Sequence, residues 1–493
     1  MQPLVEELVP APDPVRCCER LAELPYRLLL DSAAPGSRLG RYSFLTADPV
    51  MLVTSRGDAV ECLDRTSGNL TRGGADALAV VREKVRPFAA SPVPGLPPFQ
   101  GGAAGYLAYD WSRALERLPS PRYDDLGFDD VVLGLYDWVL AWDHAESKAW
   151  LISTGMPEGS TDARARRAEA RSSAVRELIA GAGGRREPSA GVAFAGEPDG
   201  QRPRAPSYPV EGGWWDPRIG LRSSFTRDAY LEAVSRVREY VFAGDIFQAN
   251  LSQRFEAPLD EPPWKLYLRL RAGNAAPFAA FMDLPELAVL SASPERFLRV
   301  DGSGHVETRP IKGTRPRGLG PEHDAALGQA LTESAKDRAE NLMIVDLMRN
   351  DLSRVCAPGT VRVSELFALE RYATVHHLVS TVVGELEEGL DGFDLLRAAF
   401  PGGSITGAPK VRAMEIIAEL EPSRRGVYCG SIGYWSLTGE LDTSIAIRTA
   451  VARGGRVYFN AGGGIIADSS PEQEYLETLD KARGIIDALA VPL

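Results

Sequence analysis

Apolar and polar residues change rhythm several times along this chain, and each change marks an element. Over residues 1–155 short alternating or apolar runs are broken by Gly and Pro, which predicts strands joined by turns; residues 41–45 and 136–142 are two such runs. An Ala/Arg/Glu-rich stretch at 161–180 reads as a helix, and a Gly-, Pro- and Arg-rich stretch at 181–217 reads as a linker. Thr226 is a good N-cap, with Asp228 in the first turn, Tyr230, Leu231, Val234, Val237 and Val241 on one face, and Gly244 as the stop. Residues 246–255 then alternate as a strand. Gln248, Asn250, Ser252 and Arg254 share one side, against Phe247, Ala249, Leu251 and Phe255 on the other. That polar side either meets solvent or lines a polar pocket. Further helices are predicted at 333–351, 409–420 and 471–488, set among strands. Without a repeat or a regular βαβ rhythm, the pattern predicts an α+β fold with antiparallel sheets rather than a Rossmann-type parallel one. Three segments follow: 1–155, a helix and linker at 156–222, and a motif-rich region at 223–493.

Composition narrows the function classes. With 493 residues and 44% hydrophobic content, the chain can bury a large core. A formal net charge of −12 argues against nucleic acid and anionic membranes as partners. The start of the chain lacks the layout of an export signal, and no apolar run reaches the ~18 residues of a membrane helix, so a cytoplasmic protein is expected. Five dispersed cysteines and five histidines offer no metal spacing, which points to reduced thiols and away from a zinc site.

Several segments could carry chemistry. Lys312, in Pro310-Ile311-Lys312-Gly313-Thr314, is an amine held in a tight, partly apolar segment; it is either a surface charge or a nucleophile. Asp337 and Glu340 lie one turn apart on a predicted helix. Near the C-terminus Ser470, Pro471 and Gln473 form a helix start that places Glu474 and Glu477 on one face, with Lys481 a turn beyond Glu477. These carboxylates are either a solvated face with a Glu–Lys pair or an oxygen-rich magnesium site built from two helices. The loop 400–410 runs through Gly402, Gly403, Thr406 and Gly407 into a helix with Pro409 near its start, an arrangement suited to an anion, although it lacks a P-loop ending. Gly462, Gly463 and Gly464 would let a ligand approach the backbone or simply make a turn. His377 sits in an apolar stretch as either a core or a catalytic histidine, and Arg448 sits in a strand-like context that demands an anion.

Taken together, Ser293-Pro294-Glu295, Pro310 to Thr314, Glu340 to Asp351, His377 to Ser380, Gly403 to Lys410, Gly430 to Tyr434, Ala446 to Ala450 and Ala461 to Ile465 resemble the chorismate-utilising enzymes, in that family's order. Leu29 to Ser32 and Gly40 to Phe44 resemble its amino-transferring branch. The resemblance implies two large antiparallel sheets packed face to face with helices outside. It implies Mg2+ bound by Glu340 and Glu477, with Glu474 helping, and chorismate carboxylates held by the metal, Arg448, Tyr434, Thr406 and the amides of Gly462, Gly463 and Gly464. Lys481 is placed with these substrate-binding residues. Glu295 would be general acid and base, and His377 would lie against the ring. Water-adding members carry lysine at the position of Gln248, which cannot take a proton usefully, so water addition is disfavoured here. Members that lead to anthranilate typically carry alanine at the position of Lys312.

With lysine there, the resemblance implies amination of chorismate at C4, giving 4-amino-4-deoxychorismate for 4-aminobenzoate and folate or for a specialised metabolite. No glutaminase motif is present, so ammonia is expected from solution or from a glutamine amidotransferase subunit in a heterodimer. Asp31, Ser32 and Pro277 correspond to a tryptophan-type regulatory pocket. The segment 274–281 departs from the Pro-Tyr-Met type of the regulated members, so weak or absent tryptophan inhibition is expected. Asp337 also departs, standing where some relatives have glutamate.

Overall fold

Trp138, Leu140 and Trp142 pack into one apolar cluster while Val139 and Ala141, between them, pack into another. Both faces of this strand are buried, which is why its sequence is apolar throughout rather than alternating. The same division organises the whole molecule. A computed structural model describes residues 2–34, 39–74, 76–181, 214–216, 219–372 and 375–490. It contains a 13-stranded and a 12-stranded sheet, both with antiparallel ladders.

The inner faces meet in a core that includes Leu28, Phe44, Tyr106, Val132, Ala280, Val289, Ile432 and Val451. Helices cover the outer faces. Thr161–Ala180, Pro263–Gly273 and Pro471–Ala490 pack on the larger sheet; Ala77–Val85, Ala335–Ser353 and Gly392–Ala399 pack on the other. The expected pair of face-to-face antiparallel sheets is therefore the observed architecture. Each sheet draws strands from both ends of the chain: Arg27–Asp31 pairs with Phe278–Asp283, and Gly102–Leu107 pairs with Ser431–Ser436.

The helix at Thr161–Ala180 has the expected bounds, capped by Ser160, and Arg227–Ala243 runs from the Thr226 cap to Gly244 at φ 84°. Residues 136–142, expected as one strand, are two. Val131–Tyr136 lies in one sheet and Trp138–Asp143 in the other, and buried Asp137 marks the crossing, held by Arg167 at 3.2 Å and Arg171 at 3.3 Å. The expected helix at 333–351 is observed at Ala335–Ser353 with Ser334 as its cap; a further helix, Pro321–Glu333, precedes it without having been foreseen. In Gln248–Pro258 the polar side proves to be buried. Asn250 donates to the Ile405 carbonyl at 3.1 Å, Ser252 meets Glu421 at 2.9 Å and Arg254 meets Asp125. Phe247 falls just outside the strand and is exposed. Most of the linker expected at 181–217 lies outside the described residues.

Candidate active site

Two points where the chain crosses from sheet to sheet lie side by side and build the centre of the site. Ala288–Ser293 belongs to one sheet and Arg296–Val300 to the other, with Glu295 in the crossing; Leu441–Ile445 and Thr449–Arg453 are divided in the same way around Arg448. The crossings are tied by Ile445 N donating to the Glu295 carbonyl (3.1 Å), Ser293 Oγ to the Ile445 carbonyl (2.6 Å) and Ala292 N to the Arg448 carbonyl (3.1 Å). Arg448 adopts φ 51°, a left-handed conformation uncommon for a side-chain-bearing residue and typical of strained functional positions.

Glu295 is buried, and its carboxyl accepts from Ser404 Oγ at 2.6 Å and from Ile311 N at 3.5 Å. Burial pushes its pKa up to about 7, while Ser404, Lys312, Ile311 and Arg448 pull it down. Arg448 makes no side-chain hydrogen bond or ion pair among the described residues, although burial disfavours its charge and Glu295 supports it. A guanidinium without a hydrogen-bonded anion among the described residues retains the capacity to bind one.

Lys312 lies in the strand Ile311–Pro316, whose register on Val375–Glu385 slips between Ile311 and Thr314. The bulge redirects the side chain. Gly313 at φ 82° makes it possible, since a Cβ there would stand 2.8 Å from Leu331 and 2.9 Å from Asp337 Oδ1. Asp337 in turn pairs with Arg315 at 2.8 Å and clamps the bulge from its helix. The Lys312 amine has no hydrogen bond or ion pair among the described residues. Burial lowers its pKa; Glu340, Glu295 and Glu477 raise it, and Lys481 lowers it.

His377 faces the same space from Val375–Glu385. It is 2% exposed, its Nδ1 meets Thr314 Oγ1 at 2.9 Å, and its Nε2 is buried without a partner. Burial and Arg448 push its pKa down to about 3, so the ring is neutral. On the far wall Gln248 is wholly buried with neither amide atom bonded. Gly464 makes room for it: a Cβ at 464 would lie 2.1 Å from Gln248 Nε2.

The carboxylates converge at one end of this space. A Cβ on Gly463 would be 3.1 Å from Glu474 Oε2 and 3.4 Å from Glu477 Oε1, so the missing side chain leaves a cradle for both. Glu474 is buried and accepts from Ser469 Oγ at 2.7 Å. Burial raises the pKa of Glu340 and of Glu474, and Glu477 adds repulsion to each. Glu477 is lowered by Lys481, whose amine stands 2.6 Å from it and also donates to the Gly462 carbonyl at 2.9 Å. Lys336 bridges Glu340 and Glu474 at 3.9 and 3.8 Å. Among the described residues no group of three or more His, Cys, Asp or Glu side chains is placed to hold a metal ion. An open set of carboxylates beside a glycine cradle nevertheless suits magnesium, which keeps several waters and takes only one or two carboxylates directly.

Thr406 is fully buried, and its hydroxyl donates to the carbonyls of Gly402 (3.0 Å) and Gly403 (3.4 Å), fastening the glycine-rich loop. The structure corrects the placement of Tyr434. In Ser431–Ser436 it points, like Ile432, between the sheets, stacks on Phe99 at 4.7 Å, and lines a separate cavity with Asp31, Ser32 and Pro277. Strand alternation decides this, and the motif around it hid the parity. That second cavity, about 550 Å3 including its mouth, holds Asp31 already bonded to Tyr267 at 3.0 Å and paired with Arg271. Ser404, Thr314 and Lys336 were not foreseen at the site. Ser404 lies in the glycine-rich loop and Lys336 stands four residues before Glu340, so both carried a signal; Thr314 depended on strand pairing.

The family model for chorismate binding enzymes matches residues 46–487. A curated relative from Salmonella typhimurium, aminodeoxychorismate synthase component 1, is 44% identical over 469 residues, 94% of this chain and 93% of its own length. Anthranilate synthase component 1 of Thermus thermophilus is also 44% identical, over 396 residues, 80% of this chain and 79% of its own. The crystal structure of anthranilate synthase component I from Streptococcus pneumoniae superposes with a TM-score of 0.73 at 30% identity, covering 91% of this chain and 93% of that one. Among the described residues no helix is long and apolar enough to cross a membrane.

Proposed function

The chain belongs to the chorismate binding enzyme family, and from that premise we propose that it converts chorismate and ammonia to 4-amino-4-deoxychorismate, the activity in the name of its Salmonella typhimurium relative. It is a chorismate-converting enzyme. Overall identity does not choose between the two aminations, since relatives of both names reach 44%. The observation that carries the choice is Lys312: an amine without a hydrogen bond or ion pair among the described residues, disfavoured as a cation by burial and close enough to Glu295 for each to shift the other.

In this reading the neutral Lys312 amine forms a bond to C2 of the ring. The ring double bonds shift and the C4–O bond breaks, with Glu295 giving its proton so that the hydroxyl departs as water. Ammonia then bonds to C4, the double bonds shift back and the C2–N bond to Lys312 breaks. The Glu295 carboxylate takes the extra proton from the new C4 ammonium, which restores the enzyme. Glu340 and Glu477, with Glu474 assisting, would hold magnesium, which when bound would supply positive charge for a substrate carboxylate. Arg448 holds a second substrate carboxylate, neutral His377 lies against the ring, and Gln248 and the Gly462–Gly464 backbone complete the wall. Thr406 and Lys481 act by fixing the loop, Gly462 and Glu477. A glutamine amidotransferase subunit supplies the ammonia in a cytoplasmic heterodimer, and the product feeds 4-aminobenzoate and folate.

Incubation with chorismate, magnesium and ammonium salts, followed by product identification with and without an aminodeoxychorismate lyase, tests this directly. Fluorescent anthranilate as the main product would overturn the C4 assignment. Glu295→Gln is expected to lower kcat by roughly 10²–10⁴-fold. The wild-type pH–rate profile should carry an ionisation near pH 7, where Glu295 passes from acid to carboxylate, and the variant should lack it. An unchanged profile would remove Glu295 from proton transfer.

Asp31, Ser32, Pro277 and Tyr434 line a pocket of the tryptophan-binding type whose carboxylate is already committed to Arg271. A ligand ammonium would have to compete with that guanidinium. Steady-state rates are therefore expected to stay nearly constant as tryptophan rises through the micromolar range; strong inhibition there would contradict this.

A further inference from the structure

Lys336 stands one turn before Glu340 and reaches toward two helices at once. Its ammonium is 3.9 Å from Glu340 Oε1 on its own helix and 3.8 Å from Glu474 Oε1 on Pro471–Ala490. It makes no hydrogen bond among the described residues, and its side chain is 49% exposed. Lys481, at the same cluster, is fixed at both ends of its reach by Glu477 and the Gly462 carbonyl. The two lysines therefore differ in kind: one is part of the frame, and the other is loosely held with an open route to water.

Glu477 repels both Glu340 and Glu474, and nearby positive charge favours the ionised form of closely set carboxylates. Lys336 supplies part of it between two helices, beside Lys312 at Glu340 and Lys481 at Glu474. A flexible four-carbon stem lets such a compact charge leave at little cost. We infer that Lys336 is a displaceable counter-ion: it neutralises Glu340 and Glu474 while the metal is absent and swings into solvent when magnesium takes its place. The inference rests on the reading that these carboxylates hold magnesium. It makes Lys336 a positioning residue that stabilises the empty site and moderates its affinity for the metal.

Magnesium titrations by calorimetry, without substrate, and melting curves with and without magnesium test this on the wild type, Lys336→Met and Lys336→Arg. Removing a unit charge a few ångströms from the metal position should tighten magnesium binding on the order of tenfold in Lys336→Met. That variant should melt below the wild type when metal-free and gain more from magnesium. Lys336→Arg keeps the charge and should bind within about threefold of the wild type. Lys336→Gln replaces the methionine variant if the latter is insoluble. Equal or weaker binding in the neutral variant, with clear binding to the wild type, overturns the inference alone. No heat and no melting shift in any of the chains overturns the magnesium reading beneath it.

Discussion

Lys312→Ala is expected to lose aminodeoxychorismate synthesis by on the order of 10³-fold or more, even with saturating ammonium salts and no amidotransferase. The size follows from the role, because a covalent step that loses its nucleophile has no second route to C4 at comparable rate. Ammonia cannot replace the amine, since the first bond must form at C2 for the double bonds to carry the reaction to C4. Lys312→Arg should be nearly as poor: a guanidinium stays protonated and offers no lone pair. Stability should behave in the opposite way. Lys312 is a half-buried amine with no hydrogen bond or ion pair among the described residues, and burial disfavours its cation, so the melting temperature of the alanine variant should not fall. If Lys312→Ala kept more than a tenth of the activity with ammonium, the covalent role would be untenable.

Arg448→Ala should lower kcat/KM for chorismate by roughly 10²–10³-fold, about 3–4 kcal/mol, the cost of losing one partner of a buried, hydrogen-bonded charge pair. In the free enzyme this guanidinium has no hydrogen bond or ion pair among the described residues and sits at φ 51°, an arrangement that carries a cost. Arg448→Lys keeps a charge but not the planar fork, and should recover only part of the loss. Metal-free, ligand-free melting temperatures of these variants should match or exceed the wild type. An Arg448→Ala variant with unchanged kcat/KM would show that the residue faces no substrate carboxylate.

Much of the local structure was legible from residue order. Thr226 and Gly244 bound their helix because a hydroxyl cap and a left-handed stop act within one turn. Helix spacing likewise put Glu474 and Glu477 on one face. Other features were not legible. The run 136–142 reads as one strand because apolar alternation says nothing about which sheet a strand joins, and only buried Asp137 marks the division. Tyr434 was misplaced since a one-residue parity sends a side chain to the other face of the sheet. Thr314 carries no pattern of its own; folding sets it against His377, as it sets Ser404 of the glycine-rich loop against Glu295.

The amino-acid sequence by itself determined most of the helices and the antiparallel α+β pattern, because those depend on local propensity, and its motif order carried the resemblance that implied two packed sheets. Only the tertiary structure decided which of the candidate groups lie together. Two adjacent sheet crossings bring Glu295 beside Arg448, a bulge at Gly313 sets Lys312 near Glu340 and Glu295, and a glycine cradle admits two carboxylates from a distant helix. Residues far apart in sequence meet there through long-range pairing. The lowered charge preference of Lys312 comes from that shared burial, which no local pattern can express.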